Sequence, residues 1–316
     1  SSSINQESKT HANIFDVNLE HHLISSGDNR PDINLYKDSV VYFLYALHSG
    51  IQPEAFAWQA GWSDSMLKSK IRLLQQSDFL PNTDGEKLLP TCMIVTQETG
   101  QLLFAQSETV ANEIADSIKI FIPFLQKEYP KLSFSGKQGF DDFSFFILSN
   151  VLLDNWQINN VEKEFVKQAR TARHGKNYFY QIAELNPGDS LEVFGIYGNQ
   201  VLCNDTICVA VYGNRRGKLN LADYFGRTGL PFISPADEEL FKEMANLFKP
   251  QLIAVFEKYR ETFVAAYQKS VYKNEISFAE YFMWYYHFIY TRVTEILAKR
   301  GLLKIPEGGN FFYSGK

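Results

Sequence analysis

The chain has 316 residues and a formal net charge of −5 at pH 7. Hydrophobic residues make up 45% of it and charged residues 21%, a balance typical of a globular protein with a substantial core. The acidic balance excludes a protein that coats nucleic acid through its overall field, so DNA binding requires a local basic patch. A chain of this length commonly holds two domains.

Three features of the sequence bear on its compartment. The N-terminal stretch SSSINQESKTHANIFD carries neither the basic nor the apolar region of a signal peptide. No run of 18 apolar residues occurs, so no transmembrane helix is expected. Three cysteines, Cys92, Cys203 and Cys208, are too few for a disulfide framework and suit a reducing cytosol. The sequence therefore predicts a cytoplasmic protein without a membrane partner.

The first third of the chain contains three short helical patterns. Residues 1–33 are polar and rich in turn-formers, which predicts a flexible arm. Apolar spacing predicts a helix over 35–47, and a proline at the start with a glycine at the end indicates a second over 53–61. A third helix is expected over 63–76, with a serine and an aspartate available as its N-cap. The apolar segment 87–96, KLLPTCMIVT, then predicts a strand.

The predicted third helix has two different faces. At about 100° per residue, Leu67, Ile71 and Leu74 share one apolar stripe. The opposite face carries small polar and cationic side chains, namely Ser65, Lys68, Ser69, Arg72 and Gln76. Such side chains suit a helix that meets the major groove of DNA and its phosphates.

Three helices followed by a two-stranded wing is the element order of a winged helix-turn-helix. The segment IVTQETGQLLF resembles the end of the wing and the start of the next helix in MarR-like regulators. The matching positions are Val95, Thr96, Gly100, Leu102 and Leu103. The resemblance covers about residues 35–107. It implies a winged helix over 34–107 that contacts double-stranded DNA, with Lys87 at the wing completing the predicted contact set.

The charges of this module depart from the MarR-like pattern. The expected wing tip, PNTDGEK, carries two acids against one lysine, where the family has a basic tip. Residues 35–107 hold five cations and seven anions. Because affinity for DNA grows with the number of phosphates neutralised, this is a weak electrostatic footprint. A winged helix that docks a protein therefore stays open as an alternative.

The stretch 206–260 resembles the C-terminal half of a GAF domain. That family shows a central apolar strand, a loop, and then Phe-Ser/Thr with an acidic residue that opens a long helix. The matching positions are Val209, Ala210, Val211, Phe232, Ser234, Asp237 and Leu240. The cyclic-nucleotide signature of the family is absent. The resemblance implies a ligand-sensing domain over 135–273 with a pocket for a small molecule.

Two sets of residues are candidates for ligand binding in this domain. Alternating strand positions offer apolar and aromatic side chains, namely Phe179, Ile182, Phe194, Tyr197 and Tyr212. The cationic run RTARHGKNY offers a site for an anionic group, formed by Arg170, Arg173 and His174. Both sets have an ordinary alternative that stays open, since the aromatic residues are also typical of a core and the cations of a solvated helix end.

Signatures of catalysis are absent from the sequence. It contains no phosphate-binding loop, dinucleotide fingerprint, zinc-protease motif or nucleophile elbow. Cys203 and Cys208 lack further residues for zinc, although a reversible thiol pair stays open beside the simpler interpretation as buried strand cysteines. We therefore expect no enzyme, no metal and no cofactor.

The sequence as a whole predicts an α+β protein. A winged helix-turn-helix is joined by a helix over 108–134 to a GAF-like α/β sandwich, and a packing helix and tail follow over 274–316. The packing helix within 274–316 is apolar nearly all round, which indicates that it is buried on several sides. We expect a homodimeric, ligand-responsive transcriptional regulator in which a small-molecule effector changes DNA affinity. The alternative is a protein-interaction scaffold.

Overall fold

The computed structural model describes residues 13–83, 87–185, 202–203, 207–212 and 228–315. They form two compact units. The first unit holds the described residues up to Ile94 together with Ala172–Leu185, and the second holds Val95–Thr171 and the described residues from 202 onward. Both helices and strands are present, so the predicted α+β class is confirmed.

The first unit combines three helices with a small sheet. Its helices are α1 (Val40–His48), α2 (Pro53–Ala60) and α3 (Asp64–Gln76). Its strands are β1 (Leu19–Ile24), β2 (Met93–Val95), β3 (Ala172–Arg173), β4 (Lys176–Asn177) and β5 (Phe179–Glu184), and the second unit begins at the last residue of β2. The sheet has the order β1–β5–β2, and β1 runs antiparallel to β5.

Two segments of the first unit differ from the sequence prediction. Residues 19–24 pair with β5, although 1–33 was expected to be a flexible arm. Residues 172–185 also belong to this unit, although 135–273 was expected to be one domain. Both differences arise because β1 and β5 are far apart in the chain, and a local pattern carries no information about a distant strand partner.

The core of the first unit lies between the helices and one face of the sheet. Phe43 from α1, Phe56 from α2 and Leu74 from α3 are completely buried there. The sheet contributes Tyr180 and Ile182, which alternate along β5 and therefore share one face. Each such side chain contributes roughly 1.5–3 kcal/mol of burial free energy, so the three helices are held mainly by this core.

The predicted wing is not formed directly after α3. The described residues 77–83 and 87–92 contain no strand, and β2 pairs with the distant β5. Lys87 is exposed, and the acidic tip residues 84–86 lie outside the described residues. A short hairpin of β3 and β4, which comes from much later in the chain, belongs to the first unit.

The second unit is mainly helical. Its α-helices are α4 (Gln97–Gln106), α5 (Glu108–Glu128), α6 (Phe140–Phe145), α7 (Ile158–Val161), α8 (Pro235–Lys258), α9 (Arg260–Lys269) and α10 (Phe278–Lys299), with π-helical turns at Phe146–Val151 and Glu162–Val166. Its sheet has the order β6 (Leu202–Cys203), β7 (Ile207–Val211) and β8 (Asn310–Ser314). α10 packs against α5, and each of residues 279–291 is buried. The predicted burial of this helix on several sides is confirmed.

The expected GAF-like domain over 135–273 would hold β5 and β7 in one sandwich. Instead β5 and β7 lie in separate sheets and in separate units. The candidate ligand residues Phe194 and Tyr197 lie outside the described residues. The expected helix start at Ser234 is present, because Asp237 N donates to Ser234 Oγ at 3.1 Å and α8 follows.

The cysteines occur in two chemical states. Cys92 is buried and is not part of a disulfide, whereas Cys208 is disulfide-bonded. The register of β6 and β7 places Cys203 opposite Cys208. Disulfides are uncommon in a reducing cytosol, so the cytoplasmic location stays a prediction.

Candidate nucleic-acid interface

α2 and α3 are joined by a tight turn that the sequence specifies locally. Pro53 occupies the first turn of α2, where its missing N–H is no loss. Gly61 ends the helix with φ +68°, a left-handed conformation that favours glycine. Ser63 then caps α3, since Met66 N donates to Ser63 Oγ at 3.2 Å. α2 and α3 are therefore two helices joined by a short turn, whose start and end follow from local signals.

The burial of α3 follows the predicted division into two faces. Leu67 and Leu74 are buried and Ile71 is half-buried, so this stripe anchors the helix. The residues predicted to contact DNA from α3 are all exposed, namely Ser65, Lys68, Ser69, Arg72 and Gln76. The outward face of α3 is thus available to a macromolecule that covers it.

Four of these exposed side chains line one surface groove of about 400 Å³, namely Ser65, Lys68, Ser69 and Arg72. Two hydroxyl donors and two cations therefore converge over two turns of the helix. In the part of the chain that the structure describes, neither Lys68 nor Arg72 forms an ion pair. This combination can bind an anionic group such as a phosphate, because all four side chains donate hydrogen bonds.

The remaining lysine of α3 has a different role. Lys70 Nζ donates to Asp38 Oδ2 at 2.5 Å. This hydrogen bond lowers the pKa of the Asp38 carboxyl below its ordinary value. Lys70 is largely covered and sits on the side of α3 that faces the rest of the first unit, so it stabilises the unit and does not add to the groove.

The segment after α3 is held by Arg173, which was predicted to bind an anionic ligand. Its side chain is only 1% exposed. Arg173 Nη1 donates to Tyr178 O at 2.5 Å, and Nη2 donates to Thr91 O at 2.5 Å. The guanidinium also lies over the rings of Phe79 and Tyr178, at 5.5 Å and 5.2 Å from their centroids. The guanidinium thus makes its contacts inside the first unit and is not available to an external ligand.

The β3–β4 hairpin contacts the end of α3 through its turn. His174 and Gly175 form the turn with φ of +48° and +77°. His174 N donates to Asp78 Oδ2 at 2.7 Å, and Thr91 Oγ1 donates to Asp78 O at 2.6 Å. These bonds explain how Asp78 keeps a positive φ of +57° just after the helix. His174, expected at a ligand site, is an exposed turn residue.

The predicted ligand-binding residues are not brought together in one unit. Phe179 and Ile182 are fully buried in β5 of the first unit. The first unit also contains Arg173, which is buried, and His174, which is exposed. Tyr212 is buried in the second unit.

Arg170, also in the second unit, forms an ion pair with Glu162. Its Nε donates to Glu162 Oε2 at 2.9 Å and its Nη2 donates to Glu162 Oε1 at 2.8 Å. This fork-like pair satisfies most of the guanidinium. Phe179 and Ile182 therefore agree with the alternative of core residues. Arg170 and Arg173 do not match the alternative of a solvated helix end, because Arg170 is paired with Glu162 and Arg173 is buried.

The second unit carries a different candidate for a ligand contact. Asn150 lies in the first π-helical turn and is 0% exposed. Neither its amide nitrogen nor its amide oxygen has a hydrogen-bond partner among the described residues. π-helical turns occur frequently at functional sites, and an unsatisfied buried amide is costly. The sequence did not point to this residue, because a π-helical turn leaves no clear local pattern.

Trp58 of α2 was also not expected to be functional, and its side chain is 83% exposed. Phe56 and Ala57 carry the buried side of the same helix. Helical spacing could have found this residue, since position 58 points about 200° away from position 56.

No family model, no curated protein and no solved structure matches this chain. Among the residues described, no group of three or more His, Cys, Asp or Glu side chains is arranged to hold a metal ion. Within the same residues, none of the helices is both long enough and apolar enough to cross a membrane.

Proposed function

We propose that the protein is a ligand-responsive transcriptional regulator whose helix-turn-helix contacts double-stranded DNA. The observation that carries the proposal is the groove on the outward face of α3. Lys68 and Arg72 supply charge there, and Ser65 and Ser69 supply short hydroxyl donors that allow a phosphate to approach the helix. Arginine, lysine and serine are common partners of DNA phosphates.

A single α3 binds DNA only weakly by this means. Two cations neutralise only a few phosphates. A plot of the logarithm of the affinity against the logarithm of the salt concentration falls with a slope of about 0.9 per phosphate contact. Two copies of the helix, one helical turn of DNA apart, would double the number of contacts. The proposed regulator therefore acts as a homodimer.

The second unit is proposed to bind the small effector. Asn150, in its first π-helical turn, offers one donor group and one acceptor to such a ligand. An effector that binds one conformation better than another shifts the population by its difference in affinity. Lys87, Gln76 and the residues of the groove would then bind DNA in the favoured conformation.

Fluorescence anisotropy with labelled duplexes of mixed sequence, across a range of salt concentrations, tests the DNA contact. The double variant Lys68→Ala/Arg72→Ala is expected to lower the salt slope by about 1.8 for each subunit on the DNA. The charge-matched control Arg30→Ala/Lys37→Ala removes two exposed cations outside α3 and should leave the slope unchanged. Undetectable binding, or a slope equal to wild type in the first variant, refutes the proposal.

Trp58 favours a second candidate function, in which the helix-turn-helix docks a protein. Tryptophan is enriched at the energetic centres of protein interfaces, and 83% exposure leaves its ring open to a partner. If no duplex binds at low salt and Trp58→Ala abolishes a cross-link to one identified cellular protein, the scaffold hypothesis replaces the regulator.

A further inference from the structure

The second unit exposes a contiguous apolar surface along α5 and α8. We call it the α5–α8 strip, and it consists of Ile120, Phe121, Phe124 and Leu247. Ile120 is 82% exposed and Leu247 is 46% exposed, while the two phenylalanines are half-buried. The ring of Phe121 lies 5.0 Å from that of Phe124 and 5.4 Å from that of Phe248. A contiguous exposed patch of this kind indicates an interaction site, unlike single scattered residues.

The positions along the strip follow from the antiparallel packing of α5 and α8. Near the start of α5, Glu113 accepts a hydrogen bond at 2.7 Å from Lys258, which ends α8. Further along α5, Phe121 contacts Phe248, which lies earlier in α8. Leu247 and Lys258 are three turns apart on one side of α8. Leu247 therefore lies beside the second half of α5, level with Phe124 and about one turn from Ile120.

At each end of the strip, a cation on one helix lies beside an anion on the other. At one end Glu113 of α5 pairs with Lys258 of α8. Toward the other end, α5 carries the exposed Lys127 and α8 the exposed Glu243. Glu113 and Lys127 are each seven residues from Ile120, in opposite directions. Among these four residues, the charge on α5 is negative before Ile120 and positive after it, and the two charges on α8 are arranged in the opposite sense.

We propose that the α5–α8 strip is the interface of a homodimer whose two-fold axis passes at Ile120. Rotation about that axis places α5 of the second copy antiparallel to α5 of the first. Lys127 then faces Glu113 of the second copy, and Glu243 faces Lys258 of the second copy. A two-fold interface requires one surface to complement itself, and this pattern of charges meets the requirement. The proposal concerns the second unit and is independent of DNA binding.

Sedimentation velocity of the full chain measures the assembly directly. Wild type is expected to dimerise at concentrations of about 1 to 100 μM, the range for an interface of ordinary size and modest affinity. Ile120→Glu places two carboxylates at the axis and should give a monomer with an unchanged circular dichroism spectrum. The matched control Val271→Glu alters another exposed residue of the same unit, 60% exposed, and should remain dimeric.

Cross-linking tests the position of the axis. Two side chains at residue 120 meet at a two-fold axis, so Ile120→Cys should form a disulfide-linked dimer under mild oxidation. Val271→Cys should give no such species. Reversing one charge also has a defined result, since Lys127→Glu sets two acids opposite each other twice per dimer and should weaken association, more strongly at low salt.

The outcomes separate cleanly. A dimer that Ile120→Glu abolishes, together with the Ile120→Cys cross-link, supports the interface. A wild-type monomer throughout the concentration range overturns it, as does a dimer that survives Ile120→Glu. If the dimer forms but DNA does not bind, the interface stands and the regulator proposal fails. If a monomer binds DNA, the interface proposal fails and the DNA contact stands.

Discussion

Lys70 donates a hydrogen bond to the carboxylate of Asp38 at 2.5 Å, so this cation of α3 is held within the first unit. Lys68 stands only two residues earlier and faces the groove. Two lysines of one helix thus differ in function because side chains two positions apart point to different faces.

This difference predicts unequal effects of the two lysines on DNA binding. Lys68→Ala should reduce the salt slope of binding by about 0.9 for each subunit on the DNA. Lys70→Ala should leave the slope unchanged and lower the midpoint of thermal unfolding, because Asp38 loses its partner. Anisotropy titrations and differential scanning calorimetry measure the two effects. Equal salt slopes in both variants would contradict the assignment of the faces.

Arg173 is predicted to be a stability residue. Arg173→Ala removes the guanidinium that donates to the carbonyls of Thr91 and Tyr178 and that lies over two aromatic rings. We expect a loss of about 2 to 4 kcal/mol in the free energy of unfolding. Urea denaturation followed by circular dichroism measures it.

The control for Arg173 is the exposed Lys37, whose replacement by alanine should change the free energy of unfolding by less than about 0.5 kcal/mol. Arg173→Lys should also destabilise, since an ammonium cannot reproduce the planar fork. An Arg173→Ala variant as stable as the Lys37→Ala control would show that the guanidinium is not needed for the fold.

Asp237 is predicted to make the second unit sensitive to acid. Burial by itself raises the pKa of Asp237, but hydrogen bonds from Ser133 and Ser234 outweigh it and lower the pKa below the ordinary 3.8. Ser133 N donates to Asp237 Oδ1 at 2.8 Å, and Ser234 N donates to Asp237 Oδ2 at 2.9 Å. The contribution of this carboxylate to stability is complete above its unfolded pKa and is lost as pH falls through the lowered folded pKa.

The test is Asp237→Asn, measured by thermal unfolding from neutral pH down through the pH range below 4. The variant should be less stable than wild type at neutral pH, and the difference should shrink as the pH falls. The isosteric amide keeps the size of the side chain. A difference that stays constant over the whole pH range would show that ionisation of Asp237 contributes nothing.

Asn150 is predicted to be suboptimal for stability in the free protein. Asn150→Leu removes a buried amide without partners and should leave the unfolding midpoint unchanged or raise it. Asn150→Asp places a charge at the same buried position and should lower it. Differential scanning calorimetry of the two variants measures these shifts. A loss of more than about 1 kcal/mol in Asn150→Leu would mean that the amide is satisfied in the free state.

Local signals predicted the helices of the first unit well. Pro53, Gly61 and Ser63 each act within one turn of the residue that carries them, so the bounds of α2 and α3 follow from the sequence. The outward face of α3 is equally local, because helical spacing alone separates Leu67 and Leu74 from the polar side chains. The buried α10 was predictable for the same reason.

Distant pairings were not predictable. The segment LEHHLI at 19–24 resembles a polar arm, because His21 and His22 interrupt its apolar pattern. It becomes a strand only because β5 lies beside it, with Leu19 opposite Glu184. The predicted two-stranded wing also depended on pairing between neighbouring segments, whereas β2 pairs with the distant β5.

The positions of α2, α3 and α10, the polar side of α3 and the burial of α10 follow from local residue spacing. The availability of each cation to an anion depends instead on the tertiary structure. The folded chain brings Arg173 to the carbonyls of Tyr178 and Thr91 and brings Lys70 to Asp38. Lys68 and Arg72 remain exposed at the groove. Helix formation depends on residues within a few positions of each other, whereas ion pairing and strand pairing depend on which distant segments the folded chain brings into contact.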